Sequence, residues 1–219
     1  MDLKHRLERS LKPRFAIMYP FGIYFAIMGQ CDEKSIRYGI GYVIAGLLIR
    51  LWSNGYAIKN DKLTTSGPYA FVRNPLYLGT FLIAIGFAVI LKTGWVGLLF
   101  LVGLSVVYYM TIHGEQANLT SKFGDAYRAY VAKVPAMIPC LIPYAQGEKW
   151  PFNLQRLILS KEHKPLFWVI ILLIAFHLKS RLLIEHKSMT TKGWVLVGLT
   201  AVLICLDILY ELNKSKLKK

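Results

Sequence analysis

Apolar residues are concentrated in six runs that are separated by polar stretches. The runs cover residues 15–29, 36–52, 76–91, 95–112, 165–178 and 193–209. A helix needs about 20 apolar residues to cross a bilayer. The shorter runs, above all the 14 residues 165–178, must therefore be extended by flanking residues or meet a thinned bilayer. The pattern predicts an all-α, polytopic transmembrane helical bundle of about five to six passes.

Two of the polar stretches are long, residues 53–74 and 113–164. They flank the third and fourth runs, which are joined by the short turn 92–94 and form a predicted helical hairpin. Both long stretches then face the same side of the membrane. We expect any chemistry to be built from them, with a cofactor site at one end of the hairpin.

Composition and charge agree with a membrane protein. Apolar residues make up 55 % of the chain, charged residues 18 %, and the mean hydropathy is +0.41, whereas a soluble domain is about a quarter charged. The net charge of +15 is concentrated in the loops on the side of both termini, which predicts a cytoplasmic site by the positive-inside rule. So much apolar sequence disfavours nucleic-acid binding.

The cysteines and histidines give no sign of a metal site. The three cysteines, Cys31, Cys140 and Cys205, form no CxxC pair, and the five histidines form no HExxH motif. The chain is therefore expected to hold neither a disulfide framework nor a metal.

The third pass is predicted to begin with a polar motif. Gly67 and Pro68 indicate a turn, Asn74 can cap a helix, and Pro75 suits the first helical position. The free amides of the helix start beside Arg73 would favour an anion such as a carboxylate. The alternative is a belt of interfacial aromatic residues with an arginine anchor.

A second motif lies where the fourth pass leaves the membrane. Glu115 is expected near the end of this pass, and the hairpin should bring it close to Arg73. Its carboxylate could bond an amine or a ribose hydroxyl of a ligand, and His113 could act on a substrate. The alternative is a solvated helix end with an interfacial histidine.

Together the two motifs resemble the isoprenylcysteine carboxyl methyltransferase and phospholipid methyltransferase superfamily of integral membrane enzymes. The resemblance covers roughly residues 36–143. The matching residues are Ser66, Gly67, Tyr69, Arg73, Pro75, Tyr77 and Gly79, then Glu115, Leu119, Phe123, Gly124, Tyr127, Tyr130, Val134, Pro135 and Pro139.

The resemblance implies an S-adenosylmethionine site built without a Rossmann domain, and a lipid or lipid-like acceptor. From their positions in the two motifs, Arg73 and His113 are the catalytic candidates. The implied cofactor contacts are Asp61, Lys62, Leu63, Thr64, Tyr69, Asn74, Pro75, Leu76, Tyr77, Gly79 and Glu115.

It also divides the chain into three parts. Residues 1–35 form a basic segment and the first pass, 36–143 the methyltransferase-like core, and 144–219 an interfacial segment with one or two further passes.

Three positions depart from the family pattern. Asn74 replaces a histidine, Gln116 replaces a second acidic residue, and Thr111 stands where the farnesyl-cysteine enzymes have a substrate-binding arginine. The first change removes any proton transfer by that histidine. The last puts a prenylcysteine carboxylate substrate in question.

The sequence favours a membrane methyltransferase that uses S-adenosylmethionine on a lipid-like or prenylated acceptor, by O- or N-methylation. One alternative is a sterol-type membrane reductase that uses NADPH, although Thr80 and Phe81 stand where an acidic residue and tryptophan usually occur. The other alternative is a non-catalytic membrane protein of the same fold.

Overall fold

The structure is a computed structural model that describes residues 13–58, 62–159 and 163–213. Helices make up its regular structure throughout these ranges, as predicted. In chain order they are α1 (Pro13–Met28), α2 (Glu33–Tyr56), a 3-10 turn (Gly67–Ala70), α3 (Pro75–Ile90), α4 (Gly94–Lys133), α5 (Leu154–Leu159), α6 (His163–Lys179), a π-helical turn (Ser180–Ile184) and α7 (Thr191–Asn213).

Helices α2 and α3 form the most closely packed pair of the bundle. A Cβ added at Gly79 would lie 2.7 Å from the carbonyl oxygen of Gly46, and one at Gly86 would lie 2.9 Å from that of Gly39. Only glycine allows the two backbones to approach so closely. Gly39 and Gly46 of the second run therefore allow the close contact between α2 and α3.

Helix α4 is longer than the apolar run that predicted it. The fourth run ends at residue 112, but the helix continues to Lys133 and bends at Gly124, whose φ of +53° and ψ of −128° are not helical. Forty helical residues measure about 60 Å, twice the thickness of the hydrocarbon core. The change from apolar to polar residues therefore marks an exit from the membrane and does not end the helix.

Three of the described helical segments are long and apolar enough to cross a membrane. They are Gly94–Lys133, Lys164–Ile184 and Thr191–Tyr210, and Tyr19–Met28 and Pro75–Ile90 are apolar but shorter. With the π-helical turn, the helical segment that contains the fifth run is 21 residues long. It is therefore long enough to cross a bilayer, although the apolar run itself is only 14 residues. The number of passes stays a prediction.

The end of the hairpin remote from Arg73, here called the far end, is held by charged side chains. Asp32 caps α2 by accepting from the backbone N of Ser35 at 2.7 Å, and it pairs with Lys92 in the α3–α4 turn. Lys179 donates to the carbonyl oxygens of Ala26, Ile27 and Gly29 at the end of α1, at 2.6–2.9 Å. These contacts satisfy helix ends that have no partners of their own.

The opposite end, here called the site end, is held by the backbone. Residues 134–144 run beside residues 70–74, and four hydrogen bonds join the two segments at 2.9–3.2 Å. The pairs are Arg73 N to Pro135 O, Asn74 N to Ala136 O, Cys140 N to Phe71 O, and Tyr144 N to Ala70 O. The segment after α4 thus forms one wall of the predicted site.

Candidate functional site

The turn before α3 has the predicted form. Gly67 has a φ of +58°, and a Cβ there would lie 2.5 Å from the ring of Tyr56, so a side chain is excluded both by conformation and by space. Pro75 takes the first position of α3, as predicted.

Asn74 occupies the cap position of α3, but the prediction that its side chain caps the helix is wrong. Its Nδ2 instead donates to the carbonyl oxygen of Ala136 at 3.0 Å, and no side-chain cap bond is made. The amide is drawn away because Ala136 lies beside the helix start, where its carbonyl also accepts the backbone N–H of Asn74.

Arg73 lies at the centre of the site and is half-buried. With the Gln116 amide turned so that its oxygen faces the guanidinium, this oxygen accepts from Nη1 and Nη2 of Arg73 at 2.9 and 3.3 Å. The Tyr127 hydroxyl contacts the same guanidinium. Among the described residues, none forms an ion pair with Arg73, and its buried Nε has no hydrogen-bond partner. The guanidinium is thus held by neutral groups, and none of the described carboxylates pairs with it.

A polar cavity of about 250 Å³ has Arg73 in its walls. Five of the predicted cofactor residues line it with Arg73: Lys62, Leu63, Thr64, Tyr69 and Asn74. Helix α4 supplies the opposite wall through Leu119, Lys122, Phe123, Tyr127 and Tyr130. The predicted contact Asp61 lies outside the described residues. This cavity combines cationic, hydroxyl and aromatic groups.

A second polar cavity of about 440 Å³ adjoins the first and shares Lys62, Leu63 and Phe123 with it. Its walls include Glu148, whose backbone holds Ser66, the extended residue just before the turn. Ser66 Oγ donates to the carbonyl oxygen of Glu148 at 2.9 Å and accepts from Trp150 N at 2.7 Å. A ligand larger than the first cavity can therefore extend into the second.

An apolar cavity of about 570 Å³ also has Arg73 in its walls. Its walls come from α3, from the membrane part of α4 and from the segment after α4. The main apolar lining residues are Leu78, Phe81, Tyr108, Ile112, Met137 and Ile138. Arg73, Gln116 and His113 add polar groups to this lining. Such a cavity suits an amphiphile with a polar head.

His113 lines this apolar cavity and lies outside the lining of the two polar ones. Its Nδ1 is 3.0 Å from the carbonyl oxygen of Tyr109, and the two rings stack with centroids 4.1 Å apart. A hydrogen bond to a carbonyl requires the proton on Nδ1, which leaves a lone pair on Nε2 of the neutral ring. The two predicted catalytic residues thus share one cavity.

Glu115 lies next to this arrangement, one residue from Gln116. Its Oε1 accepts from the Tyr77 hydroxyl at 2.7 Å, so the hairpin does bring the Glu115 and Arg73 regions together. Glu115 is exposed and lies outside the lining of the polar cavity. Its part in cofactor binding stays a prediction.

The remaining predicted contacts have structural partners inside the bundle. The carbonyl oxygen of Leu76 accepts from Thr80 Oγ1 at 2.9 Å and from Arg50 Nη1 at 3.4 Å. Pro75 is fully buried, and Gly79 faces Gly46 across the α2–α3 contact. These three residues position the start of α3, and the structure does not bring them to the cavities.

Lining residues of α4 were not proposed as site residues from the sequence, although several match the family motif. Leu119, Phe123, Tyr127 and Tyr130 recur at intervals of three and four, the spacing of one helix face. That spacing could have identified them. No local pattern points to Tyr144, Gln146 or Gly147, which reach the second polar cavity from a later segment.

Comparison with known proteins shows what the core of the chain is similar to. Residues 35–126 match the model of the phospholipid methyltransferase family. The protein-S-isoprenylcysteine O-methyltransferase of Schizosaccharomyces pombe is 36 % identical over 140 residues, which cover 60 % of this chain and 56 % of that protein. The human protein of the same name is 27 % identical over 124 residues, which cover 54 % and 40 %.

A shorter match has a different acceptor in its name. Methanethiol S-methyltransferase 1 of Bradyrhizobium diazoefficiens is 38 % identical over 71 residues, which cover 32 % of this chain and 24 % of that protein. This chain therefore spans about half or less of the curated relatives described here. No solved structure gives a significant match. The resemblance to the isoprenylcysteine carboxyl methyltransferase and phospholipid methyltransferase superfamily is confirmed.

Proposed function

We propose that this protein is an integral membrane methyltransferase that moves the methyl group of S-adenosylmethionine to a lipid-like or prenylated acceptor. The observation that carries the proposal is the position of Arg73, whose side chain belongs to the walls of both a polar and an apolar cavity. A water-soluble donor suits the polar cavity, and an apolar acceptor suits the apolar cavity. Methyl transfer requires the two to meet where the cavities meet.

The residues of the polar cavity fit the chemistry of the donor. S-adenosylmethionine, when bound, supplies an electrophilic methyl group on a sulfonium sulfur. Lys62, Lys122 and Arg73 offer N–H donors to its carboxylate, and the unpartnered Nε of Arg73 is one of them. The aromatic faces of Tyr69 and Phe123 suit a cation.

Arg73 and His113 are the groups able to act on the acceptor. The acceptor atom must attack in line with the methyl–sulfur bond, so that this bond breaks as the new bond forms and its electron pair stays on sulfur. Most of the catalysis then comes from positioning. Arg73 can orient an anionic acceptor group, which needs no base. For a thiol or an amine, Nε2 of His113 can take the proton.

The walls of the apolar cavity support an acceptor with an apolar body. Leu78, Phe81 and Met137 offer no polar side-chain groups, and the relatives named for isoprenylcysteine are consistent with a prenylated acceptor. The Thr111 hydroxyl donates to the carbonyl oxygen of Val107 at 2.8 Å, so this position supplies no cation to a substrate carboxylate. We propose that the site opens to the cytoplasm, from which the donor enters.

The direct test is calorimetric titration of S-adenosylmethionine into the detergent-purified protein. We expect micromolar binding, about −8 kcal/mol at 1 μM. Glu115→Ala tests the carboxylate implied by the family motif, and Lys122→Gln tests the polar cavity itself. Both should weaken binding, since each removes a polar group offered to the donor.

Lys149→Gln is the matched control for Lys122→Gln. Lys149 is an exposed lysine that does not line either polar cavity, so its loss should leave the affinity unchanged. No binding to the folded wild-type protein would contradict the proposal. A titration with NADPH in the same buffer then separates the reductase from a non-catalytic protein.

A further inference from the structure

A short uncharged segment interrupts the polar stretch that follows α4. Residues 134–143 contain no charged side chain, and the nearest charged residues are Lys133 before them and Glu148 and Lys149 after them. Three aliphatic residues of this segment are almost fully exposed: Ile138 at 78 %, Leu141 at 97 % and Ile142 at 82 %. Aliphatic side chains this exposed, and this close together, are unfavourable in water.

The segment is held in place and is not a loose loop. Its backbone is joined to residues 70–74 by the four hydrogen bonds described above. Cys140 is half-buried near the middle of the segment, and its Sγ lies 3.2 Å from the carbonyl oxygen of Phe71. The exposed aliphatic side chains therefore keep a fixed position relative to Arg73.

The segment also lies at the mouth of the apolar cavity. Ile138 lines this cavity and is exposed, and the same is true of Tyr109 on α4. Around Tyr109, the exposed side chains of α4 are those of its apolar, membrane-crossing part, including Val106 and Met110. The exposed apolar surface of the segment thus continues the lipid-facing surface of the helix.

We propose that residues 138–142 insert into the membrane leaflet next to the site and hold the mouth of the apolar cavity at the lipid surface. The occupant of this surface is lipid, because the patch continues the lipid-facing surface of α4. Lys133 and Lys149 are both exposed and attract anionic headgroups, while the nearby Glu148 is paired with Lys62. The inference depends on membrane placement and does not require that methyl transfer occurs.

The backbone limits the depth of insertion. An irregular segment cannot satisfy all of its N–H and C=O groups in hydrocarbon, and water or headgroups must supply the missing partners. We therefore expect the side chains of Leu141 and Ile142 to reach about 5–10 Å below the headgroups, as interfacial apolar segments do. The backbone stays at headgroup level.

The test uses an environment-sensitive fluorescent amino acid at position 141, in the full chain reconstituted into vesicles of zwitterionic and anionic phospholipids. The matched control carries the same label at position 125, because the Asp125 side chain is also almost fully exposed, at 96 %, and follows the bend in α4. Quenching by nitroxides attached to lipid chains is compared with quenching by aqueous iodide.

Insertion predicts that the lipid nitroxides quench the label at 141 and that iodide quenches the label at 125. Strong iodide quenching at both positions would overturn the proposal. So would protection of position 141 from both quenchers, which would mean that a second copy of the chain covers the patch. Failure of S-adenosylmethionine binding would refute the proposed function and leave this result unaffected.

Discussion

The far end and the site end of the helical bundle satisfy backbone groups at helix ends with different partners. Helix ends leave backbone groups without partners. At the far end, Asp32 and Lys179 satisfy these groups with their side chains. At the site end, the carbonyls of Pro135 and Ala136 satisfy the N–H groups of Arg73 and Asn74.

This difference explains where chemistry is possible. A side chain that caps a helix is committed to that helix. Because a second backbone segment meets the needs of residues 73 and 74, the Arg73 side chain is free to face two cavities. The comparison predicts that substitutions at the site end change function and that substitutions at the far end change stability.

The largest expected effect is that of Arg73→Lys. Lysine keeps the charge but cannot contact Gln116, Tyr127 and both cavities through one planar group. We expect the transfer of radiolabelled methyl from S-adenosylmethionine into lipid extracts to fall about 100-fold, as when an electrostatic catalytic group is lost.

Arg128→Lys is the control, because Arg128 is an exposed side chain paired with Asp125 on the same helix. Its activity should equal that of the wild type. If Arg73→Lys is as active as the wild type and equally stable to heat, Arg73 does not have the proposed catalytic role.

A smaller effect is expected for Gln116→Glu. Glutamate would pair with Arg73 and cancel the charge that the neutral amide leaves in place. We expect methyl transfer to fall about tenfold, or about 1.4 kcal/mol, with no loss of thermal stability. The assay is the same labelled-methyl transfer, followed across acceptor concentrations to separate KM from kcat.

Gln116→Ala separates charge from orientation. It removes the acceptor oxygen without adding a charge. If alanine lowers the rate as much as glutamate does, orientation of the guanidinium decides the rate. If glutamate is as active as the wild type, the uncompensated charge of Arg73 has no role.

The smallest effect is expected at the far end, for Asp32→Asn. The hydrogen bond from Lys92 lowers the pKa of Asp32 from 3.8 to about 2. A lowered pKa stabilises the folded state above the unfolded pKa, and this stabilisation is lost as the pH falls from about 4 through about 2. Over this range the Tm of the wild type should fall more than that of the variant.

Asparagine is a suitable replacement because it can still cap α2, so the cap is kept and the ion pair is removed. The Tm is followed by intrinsic fluorescence in detergent at each pH, and methyl transfer is measured at neutral pH. Loss of transfer activity in this variant would contradict the separation between the two ends.

Much of the site end could be predicted because its signals are local. The turn at Gly67 and the helix start at Pro75 each follow from residue type and spacing. The hairpin then brings residues 115 and 116 to residues 73 and 77, as the order of the passes requires.

The features that could not be predicted depend on contacts between distant segments. The side chain of Asn74 donates to the carbonyl oxygen of Ala136, which lies 62 residues later in the chain. Helix α4 continues through the polar residues after position 112 to Lys133. Its end could not be predicted from polarity, because a change to polar residues shows that the helix enters water and does not show that the helix ends.

The contact of Lys179 with the end of α1 has a consequence for the synthesis of the chain. The carbonyl oxygen of Gly29 accepts from Lys179, which is synthesised 150 residues later. At about 5–20 residues per second, translation leaves the end of α1 without this partner for about 8–30 seconds. During that interval, water or the insertion machinery must supply the hydrogen-bond donors for these carbonyl oxygens. The end of α1 reaches its final set of contacts only after α6 has been synthesised.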